Sequence, residues 1–444
     1  MTLRVPSLLL LVHTLPCTLS VVQQLPQTPR QPYDVQQPLI PSSDFAVTAN
    51  GVESFVYLAT VPGALGNGLA NASFVHVTLP VKGGGASVRV VVKNRSAPIA
   101  SAGLRPRGSP EVHLDGAAGL SFEISNPGHY ILELLESELD SSFNATTLNT
   151  GLMIFVDAEE LSPPSASDDS VIYFGAGVHE VPGGVIVPRS DTTVYLAAGA
   201  VVLAKIAATE VHNVTVRGPG IVSAEWLPGT AAPFACHHCG CPGDHGIAFV
   251  NSSDVTVEGI TLMHVTSWML VLESVVGARV IGIRELGWRC NNDGIDVVSS
   301  QDVLVEGCFI RSADDAIAVK GMVPTMSTRD VLVRDTLMFP HGNCMEVGFE
   351  LFNDFVENVT FERNTCLHQM MSAMSVHDGG HAHVRGLSYR DIVIEGLVAP
   401  PKTIAHDLSY GYKLLDLQII QSHYSGPDMD KRGAISQVTY SNIT

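Results

Sequence analysis

Seven short motifs recur along the second half of the chain, each leading into alternating β-branched residues. They are NVTV at Asn213, DVTV at Asp254, RVIGI at Arg279, DVLV at Asp302 and again at Asp330, NVTF at Asn358 and HVRGL at His383. Their first valines (Val214, Val255, Val280, Val303, Val331, Val359 and Val384) are separated by 41, 25, 23, 28, 28 and 25 residues. A period in the twenties with one β-branched strand start per repeat is the mark of a solenoid, in which each unit buries its apolar face only against its neighbours. Leucine-rich repeats share the period but need a regular leucine pattern that is absent. A parallel β-helix fits, its strands stacking at about 4.8 Å with alternate side chains filling the interior. The 41-residue interval holds an insertion, Trp226–Gly246, expected to leave the coil as a loop. The last residues, AISQVTYSNIT, read as another coil start with no cap after it, so the chain either is a fragment or ends on an exposed edge.

Ahead of the repeats the pattern changes. Residues 1–20 read as a secretory signal, with Arg4, an apolar run from Leu8 to Val12, and Thr18 and Ser20 near a cleavage point. Residues 21–44 hold five prolines and several glutamines and read as a linker. Seven strand candidates follow in 45–158, near Ser54–Thr60, Ser73–Val81, Ala86–Asn94, Glu111–Asp115, Leu120–Ser125, Gly128–Leu135 and Leu152–Asp157, and suggest a β-sandwich. Glu159–Asp169 is a natural boundary before a β-helix over 170–444. The expected fold is therefore all-β: a right-handed parallel β-helix preceded by a small β-sandwich.

Charge and cysteine content narrow the function. A net charge of −19 argues against nucleic acid, which needs clustered cations, and it would repel a fully ionised acidic polymer unless cations are placed locally. No stretch after the signal is apolar enough to span a bilayer. Seven Asn-x-Ser/Thr sites (Asn71, Asn94, Asn144, Asn213, Asn251, Asn358 and Asn442) suit a secretory route, although several also read as β-helix turns. Eight cysteines, one of them Cys17 in the signal, leave an odd number afterwards and hence at least one unpaired thiol. The expected state is a secreted, extracellular monomer.

The chemistry is concentrated in CNNDGIDVVSSQDVLVEGCFIRSADDAIAVKG, Cys290–Gly321. Asp293 precedes Asp314 by 21 residues and Asp315 by 22, close to one coil, which puts the three on one outer face of neighbouring coils. Hydrolysis of a glycosidic bond needs one carboxylic acid to protonate the leaving oxygen and one carboxylate to activate water, and crowding raises one of the two pKa values. Asp314 and Asp315 both reach solvent only if the strand bends at Ser312 and Ala313. Against this stand two blander readings: corner residues bonding their own backbone, and a Ca²⁺ site of the kind used by lyases.

Asn291-Asn292-Asp293-Gly294 and Asp314-Asp315-Ala316-Ile317-Ala318-Val319-Lys320 resemble the motifs of family 28 glycoside hydrolases, the polygalacturonases and their relatives, over residues 170–396. The resemblance implies hydrolysis with inversion, Asp314 as general acid, and Asp293 and Asp315 holding the water. The N-terminal layout is instead similar to family 49 (dextranase and isopullulanase), down to the entry strands at Val171 and Thr192. In place of the family 28 Gly-His-Gly motif stands Pro340-His341-Gly342; His341 takes the histidine position, unless Gly348 is the anchor, in which case Asn343 falls there. In place of the Arg-x-Lys pair that reads the sugar carboxylate stand Ser375 and His377, so the arginine is missing.

The candidate catalytic residues are thus Asp293, Asp314, Asp315 and His341; Asn291, Lys320, His377 and Trp288 are the candidate substrate contacts, Trp288 by stacking ahead of Trp226 and Trp268. No cofactor or metal is expected. Cys236-His237-His238-Cys239-Gly240-Cys241 has metal-like density, yet a disulfide-tied loop is the better reading in an oxidising compartment; Cys290 and Cys308 read as interior packing. The cleft rim is expected at Trp226–Gly246, Met322–Arg329 and Met374–His381, with His237, His238, His245, His377 and His381. The expected function is a polygalacturonase-like inverting hydrolase of a polysaccharide. The alternatives are a dextranase-like hydrolase of a neutral glucan, a non-catalytic carbohydrate-binding β-helix and a Ca²⁺-dependent polysaccharide lyase.

Overall fold

The computed structural model describes residues 39–62, 69–80, 85–93, 99–135, 151–224, 245–289, 291–368, 371–396, 413–421 and 431–444. The expected signal and most of the expected linker, Cys290 and nearly all of the Trp226–Gly246 insertion with its Cys/His cluster lie outside them. The described residues form strands, turns and loops with no α-helix.

From His212 to Asp378 the described coils of the solenoid have three strands each. In one coil these are Val276–Ile281, Arg284–Leu286 and Ile295–Val298; in the next, Gln301–Glu306, Phe309–Arg311 and Ile317–Gly321. Each strand pairs in parallel with its counterpart one coil on, giving one continuous 25-stranded assembly over 171–443. This is the right-handed parallel β-helix. Its interior is a single apolar column in which Val255, Val303, Val331 and Val359 stack with at most 2% exposure.

The repeat has a local cause. The residue just before each aligned apolar position is left-handed: Asn213, Asp254, Asp302, Asp330 and Asn358 have φ between 52° and 58°. Asn and Asp tolerate that region, and glycine enters it without steric cost. Two repeats were misaligned by the valine rule for this reason. Gly277 (φ 76°) and Gly386 (φ 66°) take the Asx place, so Ala278 pairs with Val255 and Val303, and Leu387 pairs with Val359. At this corner Asn213 Nδ2 donates to Asp191 and Asn358 Nδ2 to Asp330 in the coil before, and at the corner that follows the first strand Asn442 Nδ2 donates to Asp391. That is the turn reading of those three Asn-x-Thr sites.

The N-terminal unit is a sandwich of a six-stranded and a five-stranded sheet. The sequence reading missed four strands, Ile40–Pro41, Phe45–Ala49, Val52–Ser54 and Ser101–Arg105. The six-stranded sheet is apolar on both faces. One face meets the other sheet through Val75, Leu132 and Ile154. The other packs Phe74, Ile131 and Phe155 against Met263, Leu286, Phe309 and Leu367 on the second strands of the coils. Charged groups rim this layer: Arg284 pairs with Asp157, His368 Nε2 lies 2.5 Å from Glu133, and Arg105 pairs with Glu395 at 3.1 Å.

Among the described residues one disulfide, Cys344–Cys366, links neighbouring coils, and Cys308 is a buried free thiol.

One interior position breaks the apolar rule. Glu285 pairs with Leu262 below and Ile310 above, is fully buried, and neither carboxyl oxygen has a hydrogen-bond partner among the described residues. Burial pushes its pKa well above the ordinary 4.5. The folded chain therefore keeps a proton that the unfolded chain releases, so stability falls as pH rises above 4.5 until the folded pKa is reached, by about 1.4 kcal/mol per pH unit. Glu285→Leu is predicted to raise the melting temperature, with a gain that grows from acid to neutral pH. A gain that does not change with pH, measured by thermal unfolding across that range, would contradict the account.

Candidate active site

The second strand of each coil passes to the third through a short loop, and these loops stack because the third strands are held in register. Ile295, Ile317, Met345 and Met374 face inward and pair in sequence. Two residues earlier, the same register aligns Asp293, Asp315, Asn343 and Ser372. Backbone bonds lock the stack: Gly294 N donates to Asp315 O at 2.8 Å, Ala316 N to Asn343 O at 2.8 Å, and Cys344 N to Ser372 O at 2.9 Å. The bend expected at Ser312 is present, its hydroxyl donating to Asp314 O at 2.8 Å, and Asp314 and Asp315 both line the cleft. A Cβ at Gly342 would come within 2.7 Å of Asp315 N, so only glycine lets the loops approach this closely.

The cleft holds about 350 Å³, and Asn291, Asp293, Asp314, Asp315, Lys320 and His377 all line it. Asp293 and Asp315 are 3% and 7% exposed; Asp314 is the more open of the three. Lys320 Nζ donates to Asp293 at 3.0 Å, and lies 3.2 Å from Asp296, 3.5 Å from Glu350 and 3.8 Å from the ring centre of Trp268. Burial raises the pKa of Asp293, opposed by Lys320. Burial and then the neighbouring Asp293 carry Asp314 up to about 7. Burial, then Asp314, Glu346 and Asp293, lift Asp315 well above its ordinary value, although Asn343 N and Nδ2 donate to it at 2.7 and 2.9 Å.

The wall beside the acids is the third sheet itself. Its outward positions form two columns: Asp296, Ala318, Glu346, Ser375 and Asp416 in one, and Val298 and Lys320, then Gly348, His377 and Gln418, in the other. His377 has Glu346 on Nδ1 at 2.9 Å and Asp416 on Nε2 at 3.1 Å. With both nitrogens donating it is an imidazolium; burial works against the charge, and the two carboxylates overcome it and raise the pKa. Phe349 stacks on the ring at 4.6 Å.

Two expected residues are elsewhere. His341 is absent from the cleft lining; burial and then Arg311 lower its pKa to about 4. The register set by Met345 brings Asn343 opposite Asp315 and leaves His341 two residues outside the stack. Trp288 is 5% exposed and lies beneath the Arg289 guanidinium, while Trp268 lines the cleft. The rim also differs: Ser372–Asp378 is wall strand, not loop. The sequence reading passed over Asp296, Glu346, Glu350 and Asp416. Their signal is an acid at the outward position of an otherwise apolar strand, as in Ile295–Val298 and Met345–Leu351.

A larger groove, of about 510 Å³, lies between the domains. Among its charges, Arg284 pairs with Asp157 and Arg363 with Asp335, and the acids at 293, 314 and 315 are not part of its lining.

The sequence model described as Glycosyl hydrolases family 28 matches residues 182–411. A polygalacturonase from Chamaecyparis obtusa is 29% identical over 99 residues, 22% of this chain and 18% of that protein, so the match spans less than a fifth of the relative. Among solved structures, Dex49A from Penicillium minioluteum has a TM-score of 0.55 at 11% identity, covering 91% of this chain and 89% of that one. A family 28 exopolygalacturonase from Yersinia enterocolitica has a TM-score of 0.49 at 12% identity, over 80% and 83% of the two chains. At such identities the likeness to Dex49A is one of fold.

The stack makes Asn343 and His341 distinguishable. Asn343→Ala keeps the backbone donor to Asp315 and loses the side-chain bonds to Asp315 and to Ser372 N, at about 0.5–1.5 kcal/mol each, so it is predicted to lower kcat about tenfold. His341→Ala is predicted to leave kcat and KM within about twofold. Steady-state kinetics on one substrate decides between them, and the reverse ranking would restore His341.

Proposed function

The chain belongs to glycosyl hydrolases family 28, and from that premise we propose that it hydrolyses a polysaccharide by a single displacement with inversion, using its own aspartates. The observation that carries the reading is the division of labour among three carboxyls in one cleft. Asp314, the most open, with a pKa raised to about 7, keeps its proton under mildly acid conditions and donates it to the leaving oxygen. Asp293, held by the Lys320 ammonium at 3.0 Å, is the carboxylate that takes a proton from water. Asp315, oriented by Asn343, holds that water between them. Inverting enzymes separate their two carboxyls by about 6.5–9.5 Å to admit a water; acids on neighbouring loops, one residue out of column, suit that arrangement.

The lyase alternative is disfavoured because Lys320 already supplies a cation among Asp293, Asp296 and Glu350. Secretion is part of the proposal, supported by the apolar N-terminal run and by the Cys344–Cys366 disulfide, a bond that persists in oxidising compartments.

Asp314→Asn is predicted to lower kcat by about a hundredfold or more. In the wild type, activity should fall as pH rises through about 7, where Asp314 loses its proton. Nuclear magnetic resonance of the first-formed sugar should find the inverted anomer. A retained anomer would refute single displacement, and unsaturated products lost on chelation would establish a lyase.

A further inference from the structure

We infer that this cleft is built to read an uncharged sugar chain, and that a uronate polymer is a poor substrate. This rests on the proposed hydrolase reading and adds the substrate class to it.

The argument is one of charge already in use. Five carboxyl groups line the cleft: Asp293, Asp314, Asp315, Glu350 and Asp416. Its cations are Lys320, Lys413 and His377, and each is engaged by acids of the chain. Lys320 is bound to Asp293, Asp296 and Glu350. Lys413 Nζ donates to Asp416 at 2.6 Å. His377 is held on both sides, by Glu346 and Asp416. A sugar carboxylate could bind these cations only by displacing a buried acid, which would then sit unpaired among like charges. In sequence, residues 225–244, 369–370, 397–412 and 422–430, which lie outside the described residues, contain a single Lys or Arg between them, Lys402.

The same groups suit hydroxyls. A sugar hydroxyl donates as well as accepts, and a carboxylate that already binds a cation retains lone pairs to receive it. Glu350, Asp416 and the Gln418 amide are such partners along the cleft. Trp268 has Lys320 over its ring at 3.8 Å and His245 stacked at 5.4 Å. Its buried indole N–H has no partner among the described residues. Gly348 makes the His377 seat possible: a Cβ there would meet His377 O at 2.2 Å and Glu346 Oε1 at 2.7 Å.

The test uses the purified full chain on a panel of neutral polymers (dextran, pullulan, galactan and xyloglucan) and on polygalacturonate, at low and high salt, with new reducing ends as the readout and Asp314→Asn as control. The expected result is Asp314-dependent cleavage of at least one neutral polymer, with kcat/KM at least about tenfold above that on polygalacturonate and a KM that does not change with salt. Asp416→Asn should raise KM on that polymer while leaving the fall in activity near neutral pH in place. A smaller ratio, or faster Asp314-dependent cleavage of polygalacturonate, overturns the inference and leaves the hydrolase reading standing. No cleavage of any polymer overturns both.

Discussion

Parallel register between coils is the constraint on which the rest of this molecule depends. Ile295, Ile317, Met345 and Met374 must each fall inside, and a slip of one residue would turn the whole strand inside out, exposing those side chains and burying Asp296, Lys320, Glu346 and His377 in the apolar column. Because that alternative is so costly, the loops two residues upstream have no freedom to drift. Asp293, Asp315 and Asn343 are stacked as a consequence of where the isoleucines and methionines go. The acids do not choose one another; the core forces them together, and the backbone bonds between loops hold them there.

Bringing carboxyls this close is unfavourable, and the chain offsets it in two ways. It leaves some of them protonated, which is the meaning of raised values at Asp314, Asp315 and Asp296, and it buries one ammonium among the rest. Lys320 is 4% exposed; burial alone would strip its proton, but Asp293, Asp296 and Glu350 hold it well above its ordinary value. The ammonium is thus the counterion of the acid cluster, and losing it would change the protonation of every acid around it. The nearly empty side chain of Ala318, between Asp296 and Glu346 in the outward column, fits that geometry.

How much of this could be read from sequence follows from which interactions are periodic. The solenoid was legible because a left-handed corner residue and an inward valine recur once per coil, and the aspartate cluster because its spacing equals one coil. Where the corner residue is Gly277 or Gly386, the valine rule lost alignment by two or three residues. The choice between His341 and Asn343 needed the exact loop length before Met345, which spacing in the twenties does not supply. Asp296, Glu346 and Asp416 escaped because each lies on a different strand and becomes meaningful only beside Lys320 or His377, a relation across coils. Trp288 was preferred over Trp268 for nearness in sequence to Asp293, whereas nearness in space depends on the coil before. The sandwich was visible as a count of strands, but its six-stranded sheet, apolar on both faces, is explained only by the second partner it covers.

That second partner bears on the site. The loops with the acids hang between the second and third strands, so both strands must be rigid for the carboxyls to keep their places. The third strand is stiffened by the column behind it. The second is stiffened from outside, where Leu286, Phe309 and Leu367 pack on Phe74, Ile131 and Phe155 of the sandwich and Arg284 reaches Asp157. A catalytic group displaced by about 1 Å loses much of its effect, so packing on both strands bears on where the acids stand. The N-terminal unit therefore does structural work for a cleft it does not line, and its apolar outer sheet is the physical reason the two domains form one body.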